Sequence, residues 1–360
     1  MIESAVPVLH DEVHTRGSVT QQYTVTVVIV NWNGAHHLDE CLTALRSQTL
    51  AAETEVIVID NGSTDGSIEV LDRYSESVRV IRNLHNVGFA AGCNQGIQAR
   101  PSEFVALLNN DAIVEPTWLE ELVKAMRRAP DVGSCTSKVL WYYDHTVFDN
   151  AGHVVYADGL TRGRGRLQHD SGQFEREEDV FAFSGCAALL RRSMLEDIGL
   201  FDEQFFAYCE EADLAFRARL RGWRGLYVPT AIAYHKFSAS TARFSSLKAL
   251  HVERNRFWLA VKNLPLPLLL ASFGFTLVRY GWQVYGALTG QGATGKFVRE
   301  HSLAALAIIF LRAYGQALSG LSGVLRQRRE IQARRTASTR EVWTWLRRYG
   351  ISARQMALLE

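Results

Sequence analysis

The chain has 360 residues, 47% hydrophobic and 21% charged, which excludes a disordered chain and leaves room for one large domain with an appendage, or for two domains. Its 39 basic and 38 acidic side chains leave a formal net charge of +1, so no global field favours nucleic acid. The five cysteines, Cys41, Cys93, Cys135, Cys186 and Cys209, are scattered and never spaced Cys-x-x-Cys, which speaks against a disulfide framework or zinc knuckle and suits buried thiols in a reducing cytoplasm.

Residues 1–22 are polar and mixed, without a charged start and apolar run, and predict a loosely ordered N-terminus rather than a signal peptide. Buried-strand patterns follow at residues 24–30, 55–59 and 104–108, with a weaker one at 78–81. Helix-like stretches lie between them at 38–46, 66–74 and 88–99. Strands alternating with helices predict a parallel, doubly wound sheet whose ligands sit beyond the carboxyl ends of its strands. Strand-like pieces at 138–142, 153–156 and 180–190 surround a Gly/Arg-rich loop at 162–166, and predict a mixed region laid over the first sheet. A helix at 210–221, a short strand at 224–228 and a helix at 247–262 complete this part.

Beyond Leu264 two apolar runs are interrupted by charge, one by Arg279 and one bounded by His301 and Arg312. Neither reaches the roughly 20 uninterrupted apolar residues of a simple membrane span. They predict in-plane or re-entrant amphipathic helices with their arginines on anionic headgroups, against the alternative of a soluble helical subdomain. The expected division is 1–22, 23–263 and 264–360.

The predicted strand ends carry the polar residues. The first ends in Asn31-Trp-Asn33-Gly34, suited to a nucleobase or ribose or to an ordinary capped turn. The second ends in Asp60-Asn61-Gly62-Ser63-Thr64-Asp65, where Asp60 can accept from a base or ribose and Asp65 reads as a helix cap. Gly88 and Asn94 lie in a small-residue helix start whose glycines allow close approach to a ligand. The third strong strand leads into Asn109-Asn110-Asp111, whose single carboxylate can hold a divalent cation if a second ligand arrives, and His235 can supply it. Glu210-Glu211-Ala-Asp213 opens a helix, where acids also suit the helix dipole; functionally the segment offers a general base.

In order and spacing these pieces resemble family 2 glycosyltransferases of the GT-A fold, particularly a bacterial rhamnosyltransferase-like branch. The resemblance runs through Val27-Val-Ile-Val-Asn-Trp-Asn33, Val58-Ile-Asp-Asn-Gly-Ser-Thr-Asp65, Asn86-Val-Gly-Phe-Ala90, Leu108-Asn-Asn-Asp111, Gly199-Leu-Phe-Asp-Glu203, Glu210-Glu-Ala-Asp-Leu214 and Arg254-Asn-Arg-Phe-Trp258. It implies an α/β GT-A mixed sheet flanked by helices, with a C-terminal, membrane-associated helical region. It implies donor contacts from Asn31, Asn33, Asp60, Asn61, Gly88, Asn94, Asn109 and Asn110, with Arg254 and Arg256 near the diphosphate. Asp111 and His235 would hold Mg2+ or Mn2+, although Asn109 stands where the family has the first acid of its Asp-x-Asp. Glu211 would be the base, with Asp213 supporting it. The function implied is inverting transfer of a sugar from dTDP-rhamnose or a UDP-hexose to a saccharide or polyprenyl-linked saccharide, at the cytoplasmic face of the membrane, in cell-surface polysaccharide synthesis. A homo-oligomer is compatible with this reading and nucleic acid is not a partner. A non-catalytic sugar-nucleotide-binding or membrane-scaffolding protein is the alternative.

Overall fold

A computed structural model describes residues 23–236 and 246–359. The first half alternates strand and helix: β1 (Val25–Asn31), α1 (Ala35–Arg46), β2 (Thr54–Asp60), α2 (Ser67–Asp72), β3 (Val78–Arg82), α3 (Phe89–Ala99), β4 (Phe104–Leu108), β5 (Ala112–Val114) and α4 (Trp118–Arg128). Then come β6 (Val132–Trp141), β7 (Asp144–Asn150), β8 (His153–Val155), β9 (Thr161–Gly163), β10 (Glu178–Val180), β11 (Ala187–Arg191), α5 (Arg192–Ile198), α6 (Glu210–Leu220) and β12 (Arg224–His235). Helices α7 (Ser246–Asn263), α8 (Leu266–Thr289), α9 (Gly292–Glu300), α10 (Leu303–Ser319), α11 (Leu321–Arg334), α12 (Thr339–Arg348) and α13 (Ala353–Leu358) follow. The expected N-terminal segment 1–22 lies outside the described residues.

Period-two alternation sends each strand's residues to two cores. Val25, Val27 and Ile29 of β1 and Val58 of β2 join a cluster with α1 and α4, while Val28, Ile57 and Ile59 join one with α3, α5, α6 and α7. The sheet runs β10-β12-β6-β11-β4-β1-β2-β3, with β5 paired to β12 and β7 to β6. Strands β1 to β4 are parallel neighbours, but β11 inserts antiparallel between β4 and β6.

Three expectations therefore change. The region at 138–190 is not laid over the first sheet; β6, β10 and β11 extend it, together with β12. The run at 180–190 is not one strand, because Phe181 and Phe183 are core residues of a connecting loop that carries Ser184-Gly185-Cys186 between β10 and β11. Strand β12 also outlasts its expected end at Val228, because a register shift between Val228 and Ile232 absorbs Pro229.

The C-terminal helices share the domain's core: Trp258, Ala317, Val324, Val342 and Leu346 belong to the same cluster as Phe181 and Phe216. A buried ionic group ties α8 to the domain. Arg279 donates to Asp158 Oδ2 at 2.7 Å and to Glu253 Oε1 at 2.7 Å, and Arg256 donates to Glu253 at 3.3 Å. Arg279 is fully buried, so it does not reach headgroups; two buried carboxylates need it as a counter-charge. Among the described residues no single helix is long and apolar enough to cross a membrane, although α9 and α10 pass together with a 115° bend.

Candidate active site

The parallel strands end side by side, and the register Asn31↔Asp60 sets the first pair of polar residues together. Asn31 Nδ2 donates to Asp60 Oδ1 at 2.9 Å and to Ser63 Oγ at 3.2 Å, and Asp60 Oδ2 accepts from the Ser63 amide at 3.1 Å. Asn110 Nδ2 donates to Asn31 Oδ1 at 2.7 Å. Asn31 and Asp60 are buried and spend their polar atoms on one another, on Asn110 and on the Ser63 turn. Asn33, Ser63, Asn109 and Asn110 are half-buried at the same edge. Asn33 sits at φ 51° and accepts the Thr64 amide at 2.8 Å. Asp65 accepts from the amides of Ala35 and Ser67, serving the starts of both α1 and α2.

The next strand end supplies an acid–imidazole–acid chain. His235, closing β12, faces Asp111 Oδ1 with Nε2 at 3.1 Å and Asp149 Oδ2 with Nδ1 at 2.8 Å. Asn109 Nδ2 lies 3.4 Å from the same Nε2. Burial opposes a charge on His235, yet Cys186, Asp111 and Asp149 outweigh it and hold its pKa well above the usual imidazole range. Asp149, at the end of β7, was not singled out in the sequence; only the antiparallel pairing of β7 with β6 brings it here. The arrangement fits a divalent cation with few protein ligands. Asp149 fixes the ring through Nδ1, as outer carboxylates do for metal-bound histidines, and leaves Nε2 beside Asp111, where a cation could replace a proton. No cluster of three or more metal-ligating side chains exists among the described residues, so donor oxygens and water would complete such a shell.

The loop 184–186 joins this chain to the acidic helix start. Cys186 O accepts the Asn109 amide at 2.9 Å. One residue earlier, the Gly185 amide donates to Glu211 Oε1 at 2.8 Å. A Cβ on Gly185 would stand 2.5 Å from that oxygen, so glycine is required for this approach. Burial pushes the Glu211 carboxyl up to about 7, against the lowering effect of the Gly185 amide. Glu210 is pushed up further by burial and by Glu211; it is 4% exposed, and its Oε2 has no hydrogen-bond partner among the described residues. Glu211 is the more accessible and the more readily ionised of the two, which is what a proton acceptor at neutral pH requires.

The backbone leading into α6 is unusual. Phe206, Tyr208 and Cys209 adopt φ of 63°, 72° and 68°, and conformations of this kind cost on the order of 1–3 kcal/mol each in non-glycine residues. Phe206, at ψ −66°, is the centre of a γ-turn closed by the Ala207 amide on Phe205 O at 2.7 Å.

Several expected site residues have other work. Asp213 is fully buried and held by Arg217 at 2.9 Å, Lys262 at 3.0 Å and Asn263 at 2.8 Å. It anchors α6 to α7 and does not support the base from the cleft. Asn94 is spent on Phe201, donating to its carbonyl at 2.9 Å and accepting its amide at 3.0 Å. Asn61 is buried between Gly88 O and Asn83. Gly88, at φ 91°, makes room for Phe206 rather than for a ligand, since a Cβ would meet Phe206 at 2.6 Å. Arg254 donates to Phe205 O at 3.1 Å and lies over Trp258, while Arg256 belongs to the buried ionic group with Glu253. Both arginines are committed to the fold, Arg254 to the carbonyls of Gln204 and Phe205 and Arg256 to Thr276 and Tyr314.

A profile of Glycosyl transferase family 2 matches residues 26–199. Residues 26–199, just under half of the chain, thus match the family 2 glycosyltransferases. The match includes Asp111 and stops before Glu211 and His235. The N-acetylglucosaminyl-diphospho-decaprenol L-rhamnosyltransferase of Mycobacterium tuberculosis is 29% identical over 241 residues, which are 60% of this transferase and 77% of that protein. The uncharacterized protein y4gI of Sinorhizobium fredii is 29% identical over 231 residues, but this chain spans only 25% of it. The putative glycosyltransferase EpsH of Bacillus subtilis is 24% identical over 229 residues, 60% of this chain and 62% of that one. The fold is shared with the mannosyltransferase PcManGT of Pyrobaculum calidifontis, solved with GDP-Man and Mn2+, at a TM-score of 0.53 and 20% identity over 91% of this chain and 90% of that one. GalNAc-T7, solved with UDP, GalNAc and Mn2+, also gives a TM-score of 0.53, at 18% identity over 66% of this chain and 48% of that one. The fold of the transferase is thus GT-A-like.

Proposed function

We propose that this transferase performs inverting sugar transfer from a nucleoside diphosphate donor to a saccharide hydroxyl, with Glu211 as base. The observation that carries the reading is the Gly185 amide on Glu211 Oε1 at 2.8 Å, one residue from the loop position that touches the Asp111–His235 chain. Glu211 takes the proton of the acceptor hydroxyl as that oxygen attacks the anomeric carbon. Attack from the face opposite the diphosphate breaks the bond to the leaving oxygen and inverts the centre. A divalent cation, Mg2+ or Mn2+, held by Asp111 and His235 Nε2, would neutralise the diphosphate charge. The Mn2+ in the solved structures of the same fold supports that choice. The half-buried Asn33, Ser63, Asn109 and Asn110 offer neutral donors to the nucleotide. Rhamnose is the first donor sugar to test, since a relative is named a rhamnosyltransferase; a UDP-hexose is the next.

Glu211→Gln tests the assignment. A general base contributes roughly 10²–10⁴-fold, so turnover falls by about that factor while donor affinity persists. Full activity in this variant would remove Glu211 from the mechanism.

The same proposal places the enzyme on a membrane at the cytoplasmic leaflet, where a polyprenyl-linked saccharide would present its hydroxyl. Helix α8 supports this because it is inside out. Leu266, Leu270, Phe273, Leu277, Val284 and Leu288 recur at helical spacing and are each more than half exposed, whereas Ser272, Thr276 and Arg279 are buried. An outward apolar stripe over an inward polar one suits a lipid surface. Flotation with anionic liposomes is the expected result, and a chain that stays with the buffer fraction contradicts the placement.

A further inference from the structure

We propose that Asn255 is a positioning residue, whose side-chain amide clamps the strained turn at 205–209 so that α6 starts where Glu211 reaches the Gly185 amide. The inference rests on the reading of Glu211 as base. Asn255 lies on α7 and is fully buried. Its Nδ2 lies 2.9 Å from Phe205 O, 2.9 Å from Ala207 O and 2.8 Å from Tyr208 O, so its two N–H groups are shared among three carbonyls. Its Oδ1 accepts from Arg254 Nε at 2.9 Å, which fixes the orientation of the amide: the nitrogen must face the three carbonyls.

The carbonyl left over, Phe206 O, is taken from the other side. It accepts the amides of Phe89 at 2.7 Å and Ala90 at 3.2 Å, at the start of α3. Gly88 permits that docking, as its missing Cβ makes room for Phe206. Every carbonyl from Phe205 to Tyr208 therefore has a partner, and the two N–H groups of one side chain are shared among three of the four, with Arg254 and the Ala207 amide also on Phe205 O. Three non-glycine residues at positive φ persist only where the surroundings over-determine them. Here the surroundings are Asn255 on one side and the start of α3 on the other. The last strained residue, Cys209, is the N-cap of α6, and the base is two residues beyond it. A turn that relaxed would rotate or shift the first turn of α6, and Glu211 would leave Gly185.

The prediction is specific to strain. In Asn255→Ala the turn loses its clamp, and turnover falls about 10- to 100-fold, as for displacement of a reacting group by ~1 Å. Rates are normalised to the folded fraction by circular dichroism, and donor affinity, read by calorimetry with dTDP-rhamnose or UDP-hexoses, stays within about twofold. Adding Cys209→Gly to Asn255→Ala restores most of the loss, since glycine holds positive φ without cost. Adding Asn255→Ala to Glu211→Gln lowers turnover by less than about twofold more, because both act through one group.

Wild-type turnover in Asn255→Ala, alongside a disabled Glu211→Gln, overturns the clamp and leaves the base in place. Full activity of Glu211→Gln overturns the base itself, and the clamp with it. An Asn255→Ala chain that does not fold, and that Cys209→Gly does not return to the folded state, overturns the clamp in favour of a purely structural residue.

Discussion

Gly185→Ala perturbs the candidate base without touching it chemically. The new Cβ would lie 2.5 Å from Glu211 Oε1, and 3.3 Å from its Cδ and Cγ. Restoring an ordinary carbon–oxygen contact of about 3.3 Å needs a shift of ~0.8 Å. The atom that must move is the end of a side chain, so the cost to folding is that of ordinary overpacking, about 1–3 kcal/mol. The cost to catalysis is larger in proportion, because the moving atom is the one that takes the proton. A misplacement of ~1 Å costs about 10²-fold in rate, or about 2.7 kcal/mol of barrier. The displaced oxygen also loses the Gly185 amide. Turnover would be followed as nucleoside diphosphate released in the presence of acceptor, beside donor affinity by calorimetry and a melting curve. Gly222→Ala is the control: at φ 96° with no atom within 4 Å of the added Cβ, it introduces strain alone and leaves turnover unchanged. Wild-type turnover in Gly185→Ala, or a fall in turnover only in step with donor affinity, would contradict the assignment of Glu211 as base.

Two further outcomes follow from the same geometry. Burial raises the Glu211 carboxyl to about 7, and a base must be ionised. Turnover therefore climbs with pH until the carboxylate is formed, falling about tenfold per unit on the acid side. Glu211→Gln abolishes that limb, and a flat wild-type profile between about pH 5 and 8 contradicts the assignment. Asp149→Asn removes the carboxylate that orients His235 through Nδ1 at 2.8 Å, so the apparent affinity for Mn2+ weakens about 10- to 100-fold. Titration of Mn2+ binding by electron paramagnetic resonance measures it, and an unchanged affinity removes Asp149 from the site.

How much of this was legible in the sequence differs by element. Strands β1, β2 and β4 are legible within a residue or two because they read as apolar, β-branched runs, and edge strand β3 is legible through Val78, Val80 and Ile81 although Arg79 and Arg82 are exposed. Helix α4 went unread even though it carries a strong apolar stripe that includes Leu119, Leu122, Val123 and Met126. Strand β7 was missed because its exposed half, Asp144–Thr146, carries no apolar signal. The glycine signal at Gly88 was real, but its cause was Phe206, more than a hundred residues away. The acidic run at α6 looked like one unit, yet its members divide three ways: Glu210 toward the interior, Glu211 to Gly185, and Asp213 to Lys262 and Arg217.

The sequence by itself determined the family resemblance, the alternation of strands and helices, and the strand ends at which chemistry had to be sought. Those features depend on local pattern and on residues near one another in the chain, which is where periodicity and turn chemistry act. Only the tertiary structure decided which polar residues serve ligands and which serve the fold. Asp213, Asn94 and Arg256 are as polar as Glu211 and Asp111, but each meets its counter-charge or carbonyl across the interior. A buried polar group goes to whatever partner the packing brings within reach, and that partner is set by how distant segments dock. The same holds for Gly185 and Asn255, whose roles exist only because the loop before β11 and helix α7 deliver them to the start of α6.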